Sequence, residues 1–337
     1  MSSLESNVDA LLPELLAAFG PSGRESGVRR TLRKAVRGLG TLSEDATGNL
    51  RLHRPGRGPR LLVATPMDAA GVIVTRVDGS GVGRVTMLGG RAPVELVGST
   101  VVFENGKKAL LGYDRGPGSK NGVDLEADQL FLETGLGKKG EREFPVGSVG
   151  AIEDCPARLG EFWCGANLEA RAGCAAVVAA LRAARTSRYD LHVVFAAQSD
   201  VGSRGATTGA FGIDPELAIV VDVAHLEGRE TPGVVLGKGP CLGLKESGYV
   251  AHPQALALLK KAAAAARVKT QWLIREHEGT DARAIRAARI GVPTALVAIP
   301  ARRSGGAFSL AHTRDITQTA ALVAKLLAGA PAKGGSR

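Results

Sequence analysis

The stretch Leu191–Val223, LHVVFAAQSDVGSRGATTGAFGIDPELAIVVDV, decides the fold of this chain. It opens on an apolar run, Leu191–Ala197, long enough for a buried strand and too short for a helix. Gln198–Gly205 follows as a turn with one acid, Asp200, and two glycines; Ala206–Phe211 reads as a short helix. Leu217–Val221 is a second buried-type strand that runs directly into Asp222. Together they form a βαβ-like unit, with the loop leaving the first strand and the acid ending the second at one edge of a sheet. In open α/β sheets that carboxyl edge is where ligands bind.

Upstream, Val8–Phe19 has helical apolar spacing and stops at Gly20-Pro21-Ser22-Gly23, and Glu25–Leu39 is a second amphipathic helix. Leu50–His53 and Arg60–Thr65 read as strands, the latter leading into Pro66-Met67-Asp68. An alanine-rich helix, Ala175–Arg185, precedes the central unit. Helix Pro253–Ala266, strand Thr270–Ile274, helix Asp281–Arg289, strand Ala295–Ile299 and a closing helix, Ile316–Leu327, follow it. Between about Gly71 and Gly160 the texture changes to short β-like runs separated by glycine turns, which suggests a small barrel or sandwich. The predicted organisation is therefore a discontinuous α/β domain, 1–70 and 161–330, with an inserted β-rich domain at 71–160. A flexible tail is expected at 331–337. Exposed strand edges in the insert would need covering by another subunit, so a homo-oligomer is expected.

The 337 residues are 44% hydrophobic but only 4% aromatic, an aliphatic globular composition. No apolar run reaches membrane-spanning length, so no membrane partner is expected. The acids in MSSLESNVDALLPELL argue against a secretory signal. The four cysteines show no CxxC or zinc-finger spacing and read as buried free thiols in a cytoplasmic protein. A net charge of +10 raises nucleic acid as a partner, with Arg24, Arg29, Arg30, Arg33, Lys34 and Arg37 on or just before one predicted helix. No nucleic-acid-binding signature or stacking aromatic accompanies them, so a solvated basic face is the reading and nucleic-acid binding a remote alternative.

Several pieces, in order over almost the whole chain, resemble the cytosolic dinuclear metal aminopeptidases, the family of glutamyl and tetrahedral aminopeptidases also known as endoglucanase-like. They are TGNL at 47–50, PMDAAG at 66–71, NLEARAGC at 167–174, QSDVGSRGA at 198–206 and AIVVDVAH at 218–225. LGKGP at 236–240, EGTDARAI at 278–285, RIGVPTALVAIPARR at 289–303 and Asp315-Ile316 complete the series. The resemblance implies a zinc-peptidase-like α/β fold, a mixed sheet flanked by helices, interrupted by a β-barrel-like domain. It also implies dimers or larger shells and peptide substrates.

Family enzymes of this kind use two divalent metals to generate hydroxide while a glutamate shuttles the proton. On that alignment the first histidine ligand is replaced by Pro66, which has no donor atom. Asp68 keeps the acid that orients the lost histidine. Glu169 stands at the bridging aspartate, followed by Ala170. Ser199 stands at the general base and Asp200 at the ligand beside it. Asp222 keeps its aspartate, and the last histidine falls at Gly305, with His312 nearby but off register. The candidate catalytic residues are thus Asp68 and Ser199, and the residual metal ligands Glu169, Asp200 and Asp222. These acids could instead be satisfied by hydrogen bonds or by Arg171 and Arg204. No cofactor is expected; any bound cation would be a weakly held Mg²⁺, Mn²⁺ or Ca²⁺ rather than Zn²⁺, since the remaining ligands are oxygens.

Lesser candidates add little. Ser199 with His225 or His192 lacks the surroundings of a serine nucleophile. Gly237-Lys238-Gly239-Pro240 lacks phosphate-loop spacing and reads as a turn. Gly279-Thr280-Asp281 reads as a helix N-cap. The expected function is an aminopeptidase-family protein that has lost dinuclear-metal peptide hydrolysis and serves in binding or assembly. The alternative is an active hydrolase on an altered centre of Asp68, Glu169, Asp200 and Asp222.

Overall fold

The structure is a computed structural model that describes residues 2–114, 126–226, 231, 233–303 and 308–329. Position 305 and the tail at 331–337 lie outside the described residues. Strands β1 (Thr41–Glu44), β2 (Leu50–Arg54) and β3 (Arg60–Pro66) come first. Next are β4 (Gly71–Val77), β5 (Gly83–Leu88), β6 (Thr100–Phe103), β7 (Lys108–Tyr113), β8 (Leu130–Glu133) and β9 (Val149–Ile152). Then come β10 (Ala157–Leu159), β11 (Phe162–Gly165), β12 (Asp190–Ala196), β13 (Leu217–His225) and β14 (Cys241–Glu246). The last are β15 (Tyr249–Val250), β16 (Gln271–Ile274), β17 (Thr294–Arg303) and β18 (Ser309–His312). The helices are α1 (Ser2–Ala17), α2 (Ser26–Ala35), α3 (Pro93–Leu96), α4 (Gly140–Glu143) and α5 (Leu168–Ala183). They continue with α6 (Arg204–Ile213), α7 (Pro253–Ala266), α8 (Ala282–Arg286) and α9 (Thr313–Ala328).

Twelve strands form one mixed sheet in the order β1-β2-β12-β3-β13-β17-β18-β11-β10, with β14 pairing on β17 and carrying β15 and β16. Strands β12, β3, β13 and β17 run parallel. They are near-continuous apolar runs because helices cover both faces. Helices α1, α5, α7 and α9 pack on one face, α6 and α8 on the other. The two strands of the central unit are thus one strand apart, with β3 between them.

Helix α5 begins at Leu168, seven residues before the predicted start at Ala175. Gly173 lies inside the helix as a packing device. A Cβ there would lie 2.5 Å from Thr65 Oγ1 on β3. The helix can therefore press against the sheet.

The remaining six strands close into an antiparallel barrel, β4-β5-β8-β7-β6-β9, around Val72, Val85, Val101, Phe103, Leu111 and Leu132. Closure removes the free edges. The expectation that these edges need covering by another subunit is therefore corrected: β9 pairs with β4 and seals the ring. On α2, Arg29 and Arg33 pair with Glu44 at 3.1 and 2.6 Å, so part of the basic face is matched within the chain. Cys155 is exposed whereas the other three thiols are buried, and all four are free. Among the described residues no helix is long and apolar enough to cross a membrane.

Candidate functional site

The carboxyl ends of β3, β12 and β13 open onto a cavity of roughly 300 Å³. Pro66, Asp68, Glu169, Ser199, Asp200 and Asp222 all line it, so the topology gathers the candidate catalytic and metal-ligand residues named above.

The sequence pieces that carry the resemblance hold one another in place. Asn49 is fully buried; its amide donates to the carbonyl of Gly205 at 2.9 Å and accepts from the N–H of Ala197 at 2.9 Å. Gly205 cannot be larger, since a Cβ would lie 2.1 Å from Asn49 Oδ1. The N–H groups of Gly237 and Gly239 donate to the Asp315 carboxylate at 2.6 and 2.8 Å, so this loop is already turned toward an anion of its own chain. Glu246 accepts from the N–H of Thr280 at 2.7 Å and from Arg275 at 3.1 Å.

Asp68, just beyond β3, is 1% exposed and is the clamp of the site. Its carboxylate accepts from Ser22 Oγ at 2.6 Å and from the N–H groups of Ser199 and Asp200, each at 3.0 Å. Burial pushes its pKa up against these three hydrogen bonds. The loop it grips contains two non-glycine residues in the left-handed region, Gln198 at φ 55° and Ser203 at φ 56°. Such backbone persists only where the surroundings over-determine it.

Ser199 Oγ donates to Asp281 Oδ2 at 2.6 Å. Asp281 therefore faces the cavity, and its side chain makes no cap for α8. Thr280 supplies the local contact, its Oγ1 accepting from the N–H of Ala282 at 3.3 Å. Burial pushes the Asp281 carboxyl up to about 6, against hydrogen bonds from Ser199 and Ser203. Asp222 accepts from the N–H of Val223 at 2.7 Å; burial in the cleft and then the Asp281 charge raise its pKa well above the usual range. His225 lies 3.2 Å from Glu169, and His192 lies on β12 beside Asp190, so Ser199 is paired with neither histidine. His312 caps α9, its Nδ1 accepting from the N–H of Arg314 at 3.1 Å.

Glu169 sits in the first turn of α5. Arg91 Nη2 donates to its Oε1 at 2.9 Å, His225 Nε2 lies 3.2 Å from the same oxygen, and Ser309 Oγ donates at 3.2 Å. Arg91 is a guanidinium partner of Glu169, whereas Arg171 and Arg204 are engaged elsewhere. Arg171 points to the carbonyls of Ala18 and Gly20 at 3.5 and 3.4 Å, and Arg204 Nε to that of Val201 at 3.2 Å. Among the described residues, Arg91 Nη1 and His225 Nδ1 are buried without a hydrogen-bond partner. No local sequence pattern singles out Arg91, which arrives from the turn between β5 and α3.

One group of described residues brings three histidine, cysteine or carboxylate ligand atoms within 4.8 Å of one another: His53, Asp190 and His192. These residues could hold a metal, which runs against the expectation of no cofactor. They were missed because β2 and β12 supply them separately. The available signal was His53 at the end of the predicted strand Leu50–His53 and the Asp-x-His at 190–192, where the predicted strand Leu191–Ala197 begins.

The mixed sheet, barrel and carboxyl-edge cavity define an aminopeptidase-type fold. The M42 glutamyl aminopeptidase family model matches residues 48–322, and the chain belongs to this family. The lysyl aminopeptidase of Pyrococcus furiosus is 28% identical over 334 residues, covering 94% of this chain and 96% of that protein. The aminopeptidase APDkam598 from the archaeon Desulfurococcus kamchatkensis superposes with a TM-score of 0.87 at 25% identity, covering 96% of this chain and 95% of that one. The Pyrococcus horikoshii TET1 peptidase, described as assembling into a tetrahedron or a large octahedral shell, gives a TM-score of 0.85 at 21% identity. It covers 95% of this chain and 99% of that one.

Proposed function

We propose that this chain is an M42-family protein that has lost dinuclear-metal peptide hydrolysis and works by binding peptides or by assembling with copies of itself. The observation that carries the reading is the contact of Arg91 with Glu169 at 2.9 Å, in the cavity that Pro66 also lines. A guanidinium there supplies the positive charge a bridging cation would supply. The donor set does not fit two zinc ions: Pro66 offers no side-chain donor, and neither does glycine at 305. Asp68 is spent on three hydrogen bonds to Ser22, Ser199 and Asp200. Ser199 is no base near neutral pH without an activator. A cation entering this cavity would meet carboxylate oxygens of Asp200 and Asp222, which suit Mg²⁺, Mn²⁺ or Ca²⁺. The shells of the TET1 peptidase support a homo-oligomer.

Elemental analysis of wild type against Asp222→Ala tests the loss of the metal centre. The expected result is the same metal content in both. About two zinc ions per chain, the complement of a dinuclear centre, falling away in Asp222→Ala would overturn it. A second reading, an active hydrolase on an altered acidic centre, is favoured by one observation. Ser199 is hydrogen-bonded to Asp281, whose pKa of about 6 suits proton exchange near neutral pH.

A further inference from the structure

We propose that His53, Asp190 and His192 form a transition-metal site on the sheet, separate from the cavity. The register of the sheet builds it. His53 on β2 pairs directly with His192 on β12, and Asp190 lies two residues before His192, so all three side chains share one face. That face is the one opposite Leu50, Leu52 and Leu191, which are buried in the main core. The two imidazoles stack with centroids 4.3 Å apart and planes 10° from parallel. Both present Nε2 to the same carboxylate, His53 at 2.7 Å from Oδ1 and His192 at 3.3 Å from Oδ2.

This arrangement has the properties of a ligand set. The three donor atoms lie within 4.8 Å of one another, and the side chains are partly sheltered, at 40%, 25% and 16% exposure for His53, Asp190 and His192. Metal–nitrogen bonds of about 2.0–2.1 Å require the rings to open from their parallel stack. The soft second torsion of histidine allows that movement without a change of backbone. Two imidazoles and one carboxylate select Zn²⁺, Co²⁺, Ni²⁺ or Cu²⁺ over Mg²⁺ or Ca²⁺. Three protein ligands leave a coordination position for water. The location is independent of the cavity: Asp190 begins β12 and Ser199 follows its far end, and the strand between them spans about 20 Å.

Calorimetric titration of the full chain with Zn²⁺, and Co²⁺ titration followed by visible absorption, test the proposal on wild type, H53Q, H192Q, D190N and D222A. Wild type is expected to take up one ion with a cobalt spectrum typical of nitrogen and oxygen ligands. Loss of a direct ligand should cost at least the roughly 10–100-fold that outer partners typically cost. Zinc should also raise the melting temperature of wild type and leave that of H53Q unchanged. Equal affinity and stoichiometry in H53Q and H192Q would overturn the proposal, as would wild type taking up no zinc at millimolar concentration. Uptake lost in D222A and kept in H53Q would put the ion in the cavity and overturn it equally. Melting of the variants without metal separates a folding defect from a lost ligand.

Discussion

Arg91 Nη2 lies 2.9 Å from Glu169 Oε1, so the carboxylate in the first turn of α5 is bound to a guanidinium carried in from the barrel side of the chain. The arginine side chain is 5% exposed and the glutamate 26%. Removing Arg91 takes the guanidinium from Glu169, which keeps Ser309 Oγ and His225 Nε2 at 3.2 Å. Arg91→Leu should therefore cost about 2 kcal/mol, less than a fully stranded buried charge, because Glu169 is partly open to solvent and keeps these partners. Denaturant titration should give a lower midpoint at unchanged slope, with much of the loss recovered in Arg91→Leu/Glu169→Leu. A single variant as stable as wild type contradicts the pairing.

Asp281 gives the molecule a defined pH dependence. Its carboxyl is held at about 6, above the ordinary 3.8, chiefly by burial. The folded chain keeps a proton that the unfolded chain releases, so this group's stabilisation is full below about pH 4 and falls as pH rises to about 6. A shift of about two units is worth about 3 kcal/mol. Asp281→Asn keeps an acceptor for the Ser199 hydroxyl and cannot ionise. It should match wild type at pH 4 and exceed it at pH 7.5 in denaturant titrations. An unchanged difference between the two pH values contradicts this account.

Asp68 should matter for the shape of the loop. Asp68→Ala leaves the N–H groups of Ser199 and Asp200 without their acceptor, at about 1 kcal/mol each, the low end for a lost acceptor because both bonds are only partly buried. Hydrogen exchange at these two amides is expected to accelerate in the variant more than in the strands. Unchanged protection at Ser199 and Asp200 would show that other contacts hold the loop.

The parallel strands were legible because burial on both faces writes them as unbroken apolar runs, as in Leu191–Ala197. The cavity was legible because Asp68, Ser199, Asp200 and Asp222 all sit at the ends of those runs. Arg91 was not, because its contact with Glu169 joins residues 78 positions apart through the tertiary fold. Strand β14 was also missed. It follows the glycines of LGKGP and contains Gly243, which weakens any strand pattern. Asp281 reads equally well as a cap, and only the folded chain turns it toward Ser199. The histidine pair is likewise a product of register, which a strand's own sequence does not state.

The proposed homo-oligomer has a candidate surface outside the barrel. Strand β16 pairs with β14, and it carries Trp272 and Ile274, exposed at 50% and 52%. Across the sheet, Val250 of β15 is exposed at 61%, paired with the same Lys245 as Ile274. An apolar edge of this kind invites pairing with another chain. Sedimentation at micromolar concentration should find a dimer or larger species, and Trp272→Glu/Ile274→Lys should shift it toward monomer. A monomeric wild type removes the case for assembly.

Release of N-terminal residues from chromogenic amino-acid substrates, assayed with added Zn²⁺, Co²⁺ or Mn²⁺, tests the loss of hydrolysis most directly. Losing a general base alone typically forfeits about 10²–10⁴ in rate. The expected result is turnover at background with every metal, identical in wild type and Asp222→Ala. Metal-stimulated turnover that disappears in Asp222→Ala would contradict the account and establish an active hydrolase on the altered acidic centre.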